Sequence, residues 1–178
     1  MITNITNYRN NGDWFYLVPA GLLVDLVVIF MAKYPGPQPY FKVDALNEWY
    51  DKFGIAAVGS DVIGMLIGIM FTRYIYAALT LKSSFWFIII LLLFQLAHDA
   101  FFYLAVILGL PKGHNAMIDI FKKYAAENGS KILVTDSLMM ISTVVLGSVL
   151  KSVEYHWTIA TTFITLYSLT YVIYTRSP

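Results

Sequence analysis

The chain contains no cysteine, which excludes disulfide bonds, thiolate metal sites and thiol catalysis. Charged residues make up only 13% of its 178 residues, whereas an ordinary soluble domain has about 25%. The formal net charge of +1 gives no basic excess, so nucleic acid is not an expected partner. The sequence has no nucleophile elbow, phosphate-binding loop, HExxH motif or basic stripe, and these absences favour a protein that is not an enzyme without excluding one.

Hydrophobic residues are abundant, at 58% of the chain, and the mean hydropathy is +0.66. This composition predicts an all-α integral membrane protein with residues 1–178 forming a single membrane domain and a lipid bilayer as its partner. Apolar runs of about 18 to 25 residues mark transmembrane helices. Five such spans are predicted: Trp14–Ala32, Ile55–Leu79, Phe85–Leu110, Lys131–Leu150 and Trp157–Tyr174.

Basic residues are distributed unequally between the two sides of these spans. The side that holds the N-terminus has four lysines and arginines, and the opposite side has eight. The positive-inside rule then predicts a lumenal or external N-terminus and a cytoplasmic C-terminus. Residues 1–13 lack a basic n-region and a small-residue cleavage site, so the first span is expected to be a retained anchor.

An internal repeat emerges when the sequence is shifted by about 75 residues. The unit is a span, a Pro/Gly turn, a short amphipathic helix, a glycine and a second span, and it occurs as residues 14–79 and 85–150, leaving 157–174 as a fifth span without a counterpart. Because each unit crosses the membrane twice, the two copies point the same way and are expected to be related by an axis along the membrane normal. The matched residues are Asp44 with Asp119, Gly54 with Gly129, Ser60 with Thr135, Asp61 with Asp136 and Met65 with Met140, while Asp25 with Asp99 and Pro35 with Pro111 match within one residue of that shift.

Short amphipathic segments connect the two spans of each unit. Apolar residues fall on one helical face of VDALNEWYDKFG and of AMIDIFKKYAAENG, which predicts helices that lie flat at the cytoplasmic interface. Gly54 and Gly129 follow these segments, and each is expected to end its helix in the left-handed conformation that glycine tolerates.

One aspartate lies in each span of the repeat, at Asp25, Asp61, Asp99 and Asp136. A carboxylate facing hydrocarbon costs about 2.5–3.5 kcal/mol on insertion scales. The rise of a helix places all four within about 8 to 16 Å of the cytoplasmic ends of their spans. We therefore expect the repeat axis to bring the four carboxyls together in a shared polar core.

Residues flanking the aspartates fit that orientation. Gln95, Asp99 and Tyr103 are four residues apart and form one stripe of a helix. Small residues allow close approach of helices in membranes. The glycines predicted to pack at helix contacts are Gly64, Gly68 and Gly147.

Four clustered carboxylates cannot all be ionised without a compensating cation, and no lysine or arginine lies at their depth. Three interpretations remain open. The carboxyls are neutral and hydrogen-bonded as structural contacts between helices, or they form a cation or proton site, or they are catalytic. The compensating positive charge is either a bound cation or a protonated His98. The sequence predicts no cofactor other than such a cation, and it does not settle whether a metal binds.

Three segments carry a resemblance to a known family: YFKVDALNEWYDKFGIAAVGSD, QLAHDAFFYLAVILGLPKGHNAMIDIFKKYAAENGSKIL and TDSLMMIS. They resemble a family of small multipass membrane proteins encoded by large double-stranded DNA viruses of algae and protists, over about residues 40 to 150. The resemblance implies a viral protein in a host internal membrane or in the lipid layer beneath the capsid. It carries over no functional residue and no activity.

Two classes of function follow. The first is a structural or interaction protein of a membrane, such as a virion inner membrane, whose partner is a second copy, a capsid protein or another membrane protein. The second is a cation or proton channel or transporter built on the four aspartates.

Overall fold

A computed structural model describes residues 2–34 and 41–176, and within these ranges the protein is helical without strands. A π-helical segment, Phe102–Ile107, continues α4, and two short 3-10 helices, Ile2–Ile5 and Asn11–Asp13, precede α1. The helices are α1 (Trp14–Lys33), α2 (Asp44–Phe53), α3 (Ile55–Ala78), α4 (Ser84–Phe101), α5 (Ala116–Asn128), α6 (Lys131–Ser152) and α7 (Tyr155–Val172). The predicted all-α fold is confirmed.

Four segments of the described chain are long and apolar enough to cross a membrane: Asn11–Lys33, Ile55–Ala78, Ser84–Ile107 and Lys131–Ser152. They coincide with the first four predicted spans. Helix α7 is not among them, because its 18 residues include five threonines and three tyrosines. The count of five spans therefore stays a prediction.

The long helices pack around one hydrophobic core. Helix α1 contacts α3, α6 and α7, and α4 contacts α3 and α6. The core side chains are almost inaccessible and come from each of the four long apolar helices, among them Leu17, Ile69, Phe87, Leu91 and Met140. Helices α2 and α5 pack on each other at one end of this bundle, here called the α2–α5 end.

Two glycines at the α2–α5 end turn the chain from a short helix into a long one. Gly54 and Gly129 have φ of 52° and 54°, and their N–H groups donate to the carbonyls of Tyr50 and Ala125, both at 2.9 Å. Their ψ values of −126° and −134° lie outside the left-handed helical region predicted for these caps. A conformation with positive φ and ψ near −120° also favours glycine, and it lets the next helix start at once.

The opposite end of the bundle, here called the N-terminal end, is closed by a buried ionic network. Asp13, which is fully buried, accepts hydrogen bonds from Arg73 at 2.6 Å and from Lys151 at 2.5 Å. Arg73 also donates to the carbonyls of Asn7 and Asn10, and its guanidinium lies 5.2 Å from the ring centre of Trp14. These ion pairs and hydrogen bonds hold residues 2–13 across the ends of α3 and α6.

The predicted Pro/Gly turn of the first repeat falls at residues 35–37, outside the described residues. The match of Pro35 with Pro111 is therefore not examined by the structure. The segment that the predicted repeat aligns with it follows the π-helical segment and leads into α5. Asn115 caps the start of α5, and its side chain accepts hydrogen bonds from the N–H groups of Met117 and Ile118.

Candidate functional site

Tyr50 joins two of the predicted aspartates. Its hydroxyl oxygen lies 2.9 Å from Asp25 Oδ1 and 2.9 Å from Asp61 Oδ2. Trp49, the neighbouring residue on α2, donates its indole N–H to the same Asp61 oxygen at 3.0 Å. Side chains of α2, at the end of the bundle, therefore link α1 to α3 through hydrogen bonds.

This bridge requires a proton beyond that of the phenol. A phenol donates one hydrogen bond, so it can satisfy only one of the two carboxyls, and the other must bring its own proton to donate to the tyrosine oxygen. Asp61 accepts a second hydrogen bond from Trp49, which suits a carboxylate. Asp25 is fully buried, and its Oδ2 has no partner among the described residues, so the extra proton belongs on Asp25.

The phenol itself stays protonated. Burial, together with the negative charges of Asp61 and Asp25, raises the pKa of Tyr50 well above its usual value. The Asp25–Tyr50–Asp61 bridge is accordingly a chain of two neutral groups and one carboxylate. The carboxylate end faces a cavity.

A cavity of about 720 Å³ opens beside Asp61 within the α2–α5 half of the bundle. Its wall includes three of the four predicted aspartates, Asp61, Asp99 and Asp136, which come from α3, α4 and α6. Asp136 lies close enough to Asp99 and Asp61 to interact with both electrostatically. Asp25 is held behind this wall and is connected to it through Tyr50.

Asp99 and Asp136 have few hydrogen-bond partners among the described residues. Asp99 Oδ1 accepts a hydrogen bond from Gln95 at 2.7 Å and lies 3.2 Å from Nδ1 of His98, but Asp99 Oδ2 is buried without a partner in the described chain. Asp136 has no hydrogen bond to any described residue. Thr135, the neighbour of Asp136, donates to the Lys131 carbonyl of its own helix.

Aromatic rings form much of the remaining wall. Phe121 packs against Trp49, with ring centres 4.8 Å apart, and meets Phe102 edge to face at 5.7 Å. Burial, followed by the charges of Asp136 and Asp61, raises the pKa of Tyr124 above its usual value, so this wall residue is a neutral phenol. The cavity thus combines carboxylates with aromatic faces, and none of the described residues in its wall is a lysine or an arginine.

The remaining predicted site residues take different positions. Gln95, His98 and Tyr103 line the cavity with Asp99, and the side chains of His98 and Asp99 are 49% and 15% exposed. The π-helical segment begins three residues after Asp99 and contains Tyr103, and such segments often occur at functional sites. The two exposures indicate that the Asp99 side chain lies mostly inside the bundle, whereas the His98 side chain lies at its edge.

The predicted packing glycines differ from one another. A Cβ at Gly68 would lie 2.7 Å from Met140 Cε, and one at Gly147 would lie 2.8 Å from Leu17 Cδ2, so both mark close contacts between helices. A Cβ at Gly64 would meet no atom within 4 Å. Gly64 lies on the cavity wall and is not part of a tight helix contact.

Two important site residues, Trp49 and Tyr50, were not predicted from the sequence. Tyr50 belongs to the segment VDALNEWYDKFG, whose amphipathic pattern predicts a helix lying flat at the membrane interface. The signal available was chemical: a buried tyrosine hydroxyl or tryptophan N–H usually needs a hydrogen-bond partner, and the nearest acidic residue in the following span is Asp61.

The donor set does not resemble a metal centre. The described residues contain no group of three or more His, Asp or Glu side chains arranged to hold a metal ion. The three aspartates instead surround a volume in the range of small-molecule sites, about 300–1,000 Å³.

Comparisons with protein-family models, with curated proteins and with solved structures give no significant match. The function is therefore argued from the geometry of the cavity and of the Tyr50 bridge.

Proposed function

We propose that this multipass membrane protein binds a cation or protons in the cavity lined by Asp61, Asp99 and Asp136, as part of a channel or transporter. The observation that carries the proposal is that Asp136 and Asp99 Oδ2 lie beside an open cavity without a hydrogen-bond partner among the described residues. Carboxyls that serve only as contacts between helices are expected to be hydrogen-bonded by the protein. Asp25 and Asp99 each have one oxygen, Oδ2, without a partner among the described residues. Asp99 and Asp136 differ from Asp25 in that they line the open cavity.

Electrostatics favour the same conclusion. Three carboxyls share a low-dielectric region without a lysine or arginine in the described wall, and unpaired buried charges are costly. A bound cation or proton supplies the missing positive charge. The extra proton that the Asp25–Tyr50–Asp61 bridge requires supports the proposal that protons bind at these carboxyls.

The two-repeat architecture belongs to the proposal, and the pattern of helix contacts supports it. If α1, α2 and α3 correspond to α4, α5 and α6, a twofold axis predicts that contacts occur in matched pairs. The contacts α1–α6 and α1–α3 are matched by α4–α3 and α4–α6, and α2–α3 is matched by α5–α6. Helices α2 and α5 contact each other, as do α3 and α6, as equivalent helices beside an axis should.

We also propose that α7 is a fifth span. It begins after Ser152, at the N-terminal end of the bundle, and packs along α1 and α6. At its other end the hydroxyls of Thr175 and Tyr34 are 3.3 Å apart, and Tyr34 directly follows α1. Helix α7 therefore covers the same distance through the bundle as α1.

The proposed orientation has the N-terminus lumenal or external and the C-terminus cytoplasmic, because basic residues concentrate on the α2–α5 side. The native chain has no cysteine, so single cysteines at positions 8 and 177 can be labelled with a membrane-impermeant maleimide in sealed cells. Position 8 should react from the outside and position 177 only after permeabilisation. The reverse pattern would overturn the orientation.

Flux through proteoliposomes tests the function. The wild-type protein and a variant with all four aspartates changed to asparagine are reconstituted, and uptake of protons, Na⁺ and K⁺ is followed under an applied potential. The proposal predicts uptake that the asparagine variant loses, with circular dichroism showing that both proteins are folded. Equal uptake by both proteins, or none by either together with no cation binding, contradicts it.

A structural or interaction role, in a virion inner membrane or a host internal membrane, is the second proposal. It is supported by the exposed charges on the outer face of α2, where Asp44, Asp51 and Lys52 line a shallow groove at the cytoplasmic side of the proposed topology. A capsid protein, another membrane protein or a second copy would contact this face. Photo-crosslinking from position 52 in infected cells should then capture such a partner, and a face that crosslinks only to lipid contradicts this role.

A further inference from the structure

The two repeats differ at one residue that matters for the cavity. Tyr50 and Ala125 are 75 residues apart, the repeat shift, and each accepts a 2.9 Å hydrogen bond from the positive-φ glycine that ends its helix, Gly54 or Gly129. The structure therefore places them at equivalent positions. In the first repeat the tyrosine joins the two aspartates, and in the second the alanine leaves its pair unjoined.

The unjoined pair faces open space. Ala125 lines the cavity together with Asp99 and Asp136, which correspond to Asp25 and Asp61. The volume that a tyrosine side chain fills in the first repeat is therefore part of the cavity in the second. Compared with the space around Tyr50 in the first repeat, the space beside Ala125 lacks a hydrogen-bond donor attached to an apolar or aromatic group.

We infer that the space beside Ala125 binds the ammonium group of an alkylamine or arylalkylamine, whose N–H groups donate to Asp99 and Asp136 as the Tyr50 hydroxyl joins Asp25 and Asp61. This inference rests on the proposed cation site and specifies the chemical class of its ligand. A protonated amine offers two or more donors and the positive charge that the wall lacks. Its hydrocarbon part would lie against the rings of Phe121, Trp49 and Tyr124.

The wall suits such a ligand better than a metal ion. Aromatic faces attract organic cations through their quadrupoles, and a cavity of about 720 Å³ is far larger than a single metal ion needs. The described carboxyls are not grouped for metal coordination. An ammonium group also needs no fixed coordination number, so two carboxylates on different helices suffice.

Calorimetric titration of the protein in lipid nanodiscs tests the inference. The probes are cyclohexylammonium, tetramethylammonium, which is a cation without N–H donors, and cyclohexanol, which is a neutral molecule of similar size. We expect cyclohexylammonium to bind with one-to-one stoichiometry and the other two at least tenfold more weakly. Equal binding of tetramethylammonium would overturn the bridging role assigned to the N–H groups.

Two variants separate the site from its surroundings. Ala125→Tyr supplies the missing phenol from the protein itself, so it should weaken cyclohexylammonium binding at least tenfold while keeping a folded protein. Ala126→Tyr makes the same change one residue later, at an exposed position, and should bind like the wild type. Asp99→Asn tests the same site without adding volume and should also weaken binding at least tenfold.

The outcomes distinguish this inference from the proposed function. Undiminished binding by a folded Ala125→Tyr protein, or by Asp99→Asn, overturns the inference. Binding of Na⁺ or protons that depends on the aspartates, without any binding of cyclohexylammonium, overturns the ligand class and leaves the proposed function standing. Absence of any aspartate-dependent cation or proton binding removes both.

Discussion

Replacing Tyr50 by phenylalanine removes one oxygen and little else, so it isolates the bridge between Asp25 and Asp61. Asp25 is fully buried, and the Tyr50 hydroxyl is its one hydrogen-bond partner among the described residues. Leaving such a group unpaired costs about 1–3 kcal/mol. Asp61 keeps its bond from Trp49 and loses the other, which adds about 1 kcal/mol. We expect the free energy of unfolding to fall by about 3 kcal/mol.

Thermal unfolding in detergent, followed by circular dichroism, measures this loss. For a chain of this size about 3 kcal/mol corresponds to a Tm lower by roughly 6 to 12 °C. Tyr155→Phe is the matched control, because this tyrosine is 66% exposed, and its Tm should stay near that of the wild type. In an Asp25→Leu background the Tyr50→Phe change should cost much less, since the stranded carboxyl is already gone. A loss below about 0.5 kcal/mol for Tyr50→Phe would refute the reasoning.

The same residue gives the protein a defined response to alkali. Because the pKa of Tyr50 is raised by burial and by the charges of Asp61 and Asp25, the folded protein keeps the phenol neutral where the unfolded chain ionises it, near pH 10. The stabilisation is complete below that pH and is lost as the pH rises from there towards the folded pKa. Above pH 10 the free energy of unfolding should fall with pH less steeply in Tyr50→Phe than in the wild type, by about 1.4 kcal/mol per pH unit. Identical slopes would show that the phenol is not buried.

Two further pairs of variants test the ends and the centre of the bundle. Asp13→Asn leaves Arg73, which is 1% exposed, without its counter-charge and should cost about 3–5 kcal/mol of unfolding free energy. Glu48→Gln removes one partner of the half-exposed Glu48–Lys123 ion pair and should change the free energy by less than about 1 kcal/mol. Equal effects of the two variants in urea–SDS titrations would contradict the buried network. Gly147→Leu should cost about 1–3 kcal/mol, because a Cβ there already lies 2.8 Å from a neighbouring helix. Gly64→Ala should instead stabilise the protein by up to about 1 kcal/mol, since no atom lies within 4 Å of a Cβ at this position and alanine favours a helix. Losses of similar size in the two glycine variants would refute the packing described at Gly147 and Gly64.

The helices were largely predictable from hydropathy, because a membrane-spanning helix must be a long apolar run. The predicted span beginning at Ile55 ends within one residue of α3, and the span Phe85–Leu110 corresponds to α4 with its π-helical extension. Helix α7 is the ambiguous element. Its threonines and tyrosines lower its mean hydropathy even though its length matches a span, so composition alone does not decide how it relates to the membrane.

The site was only partly predictable. The cost of a lipid-facing carboxylate indicated that Asp99 turns inward, and the repeat register paired it with Asp25. The sequence did not reveal that Tyr50 joins Asp25 to Asp61, because that contact depends on how α2 packs under the bundle. Nor did it reveal the cavity, which Ala125 lines. In the proposed repeat this position is equivalent to Tyr50, and the volume of a single side chain cannot be read from hydropathy or periodicity.

The central claim is that Asp99 and Asp136 bind a ligand and do not serve as structural contacts between helices. The direct measurement is the Tm of wild type, Asp99→Asn and Asp136→Asn with and without cyclohexylammonium, Na⁺ or a drop in pH. Glu154→Gln is the control, because the Glu154 side chain is 80% exposed. A ligand at 100 times its Kd should stabilise the wild type by about 2.7 kcal/mol. The account predicts that at least one of these additions raises the Tm of the wild type and of Glu154→Gln, and that both cavity variants lose this rise while folding normally. A Tm that no addition changes, or a rise that the cavity variants retain, would contradict it.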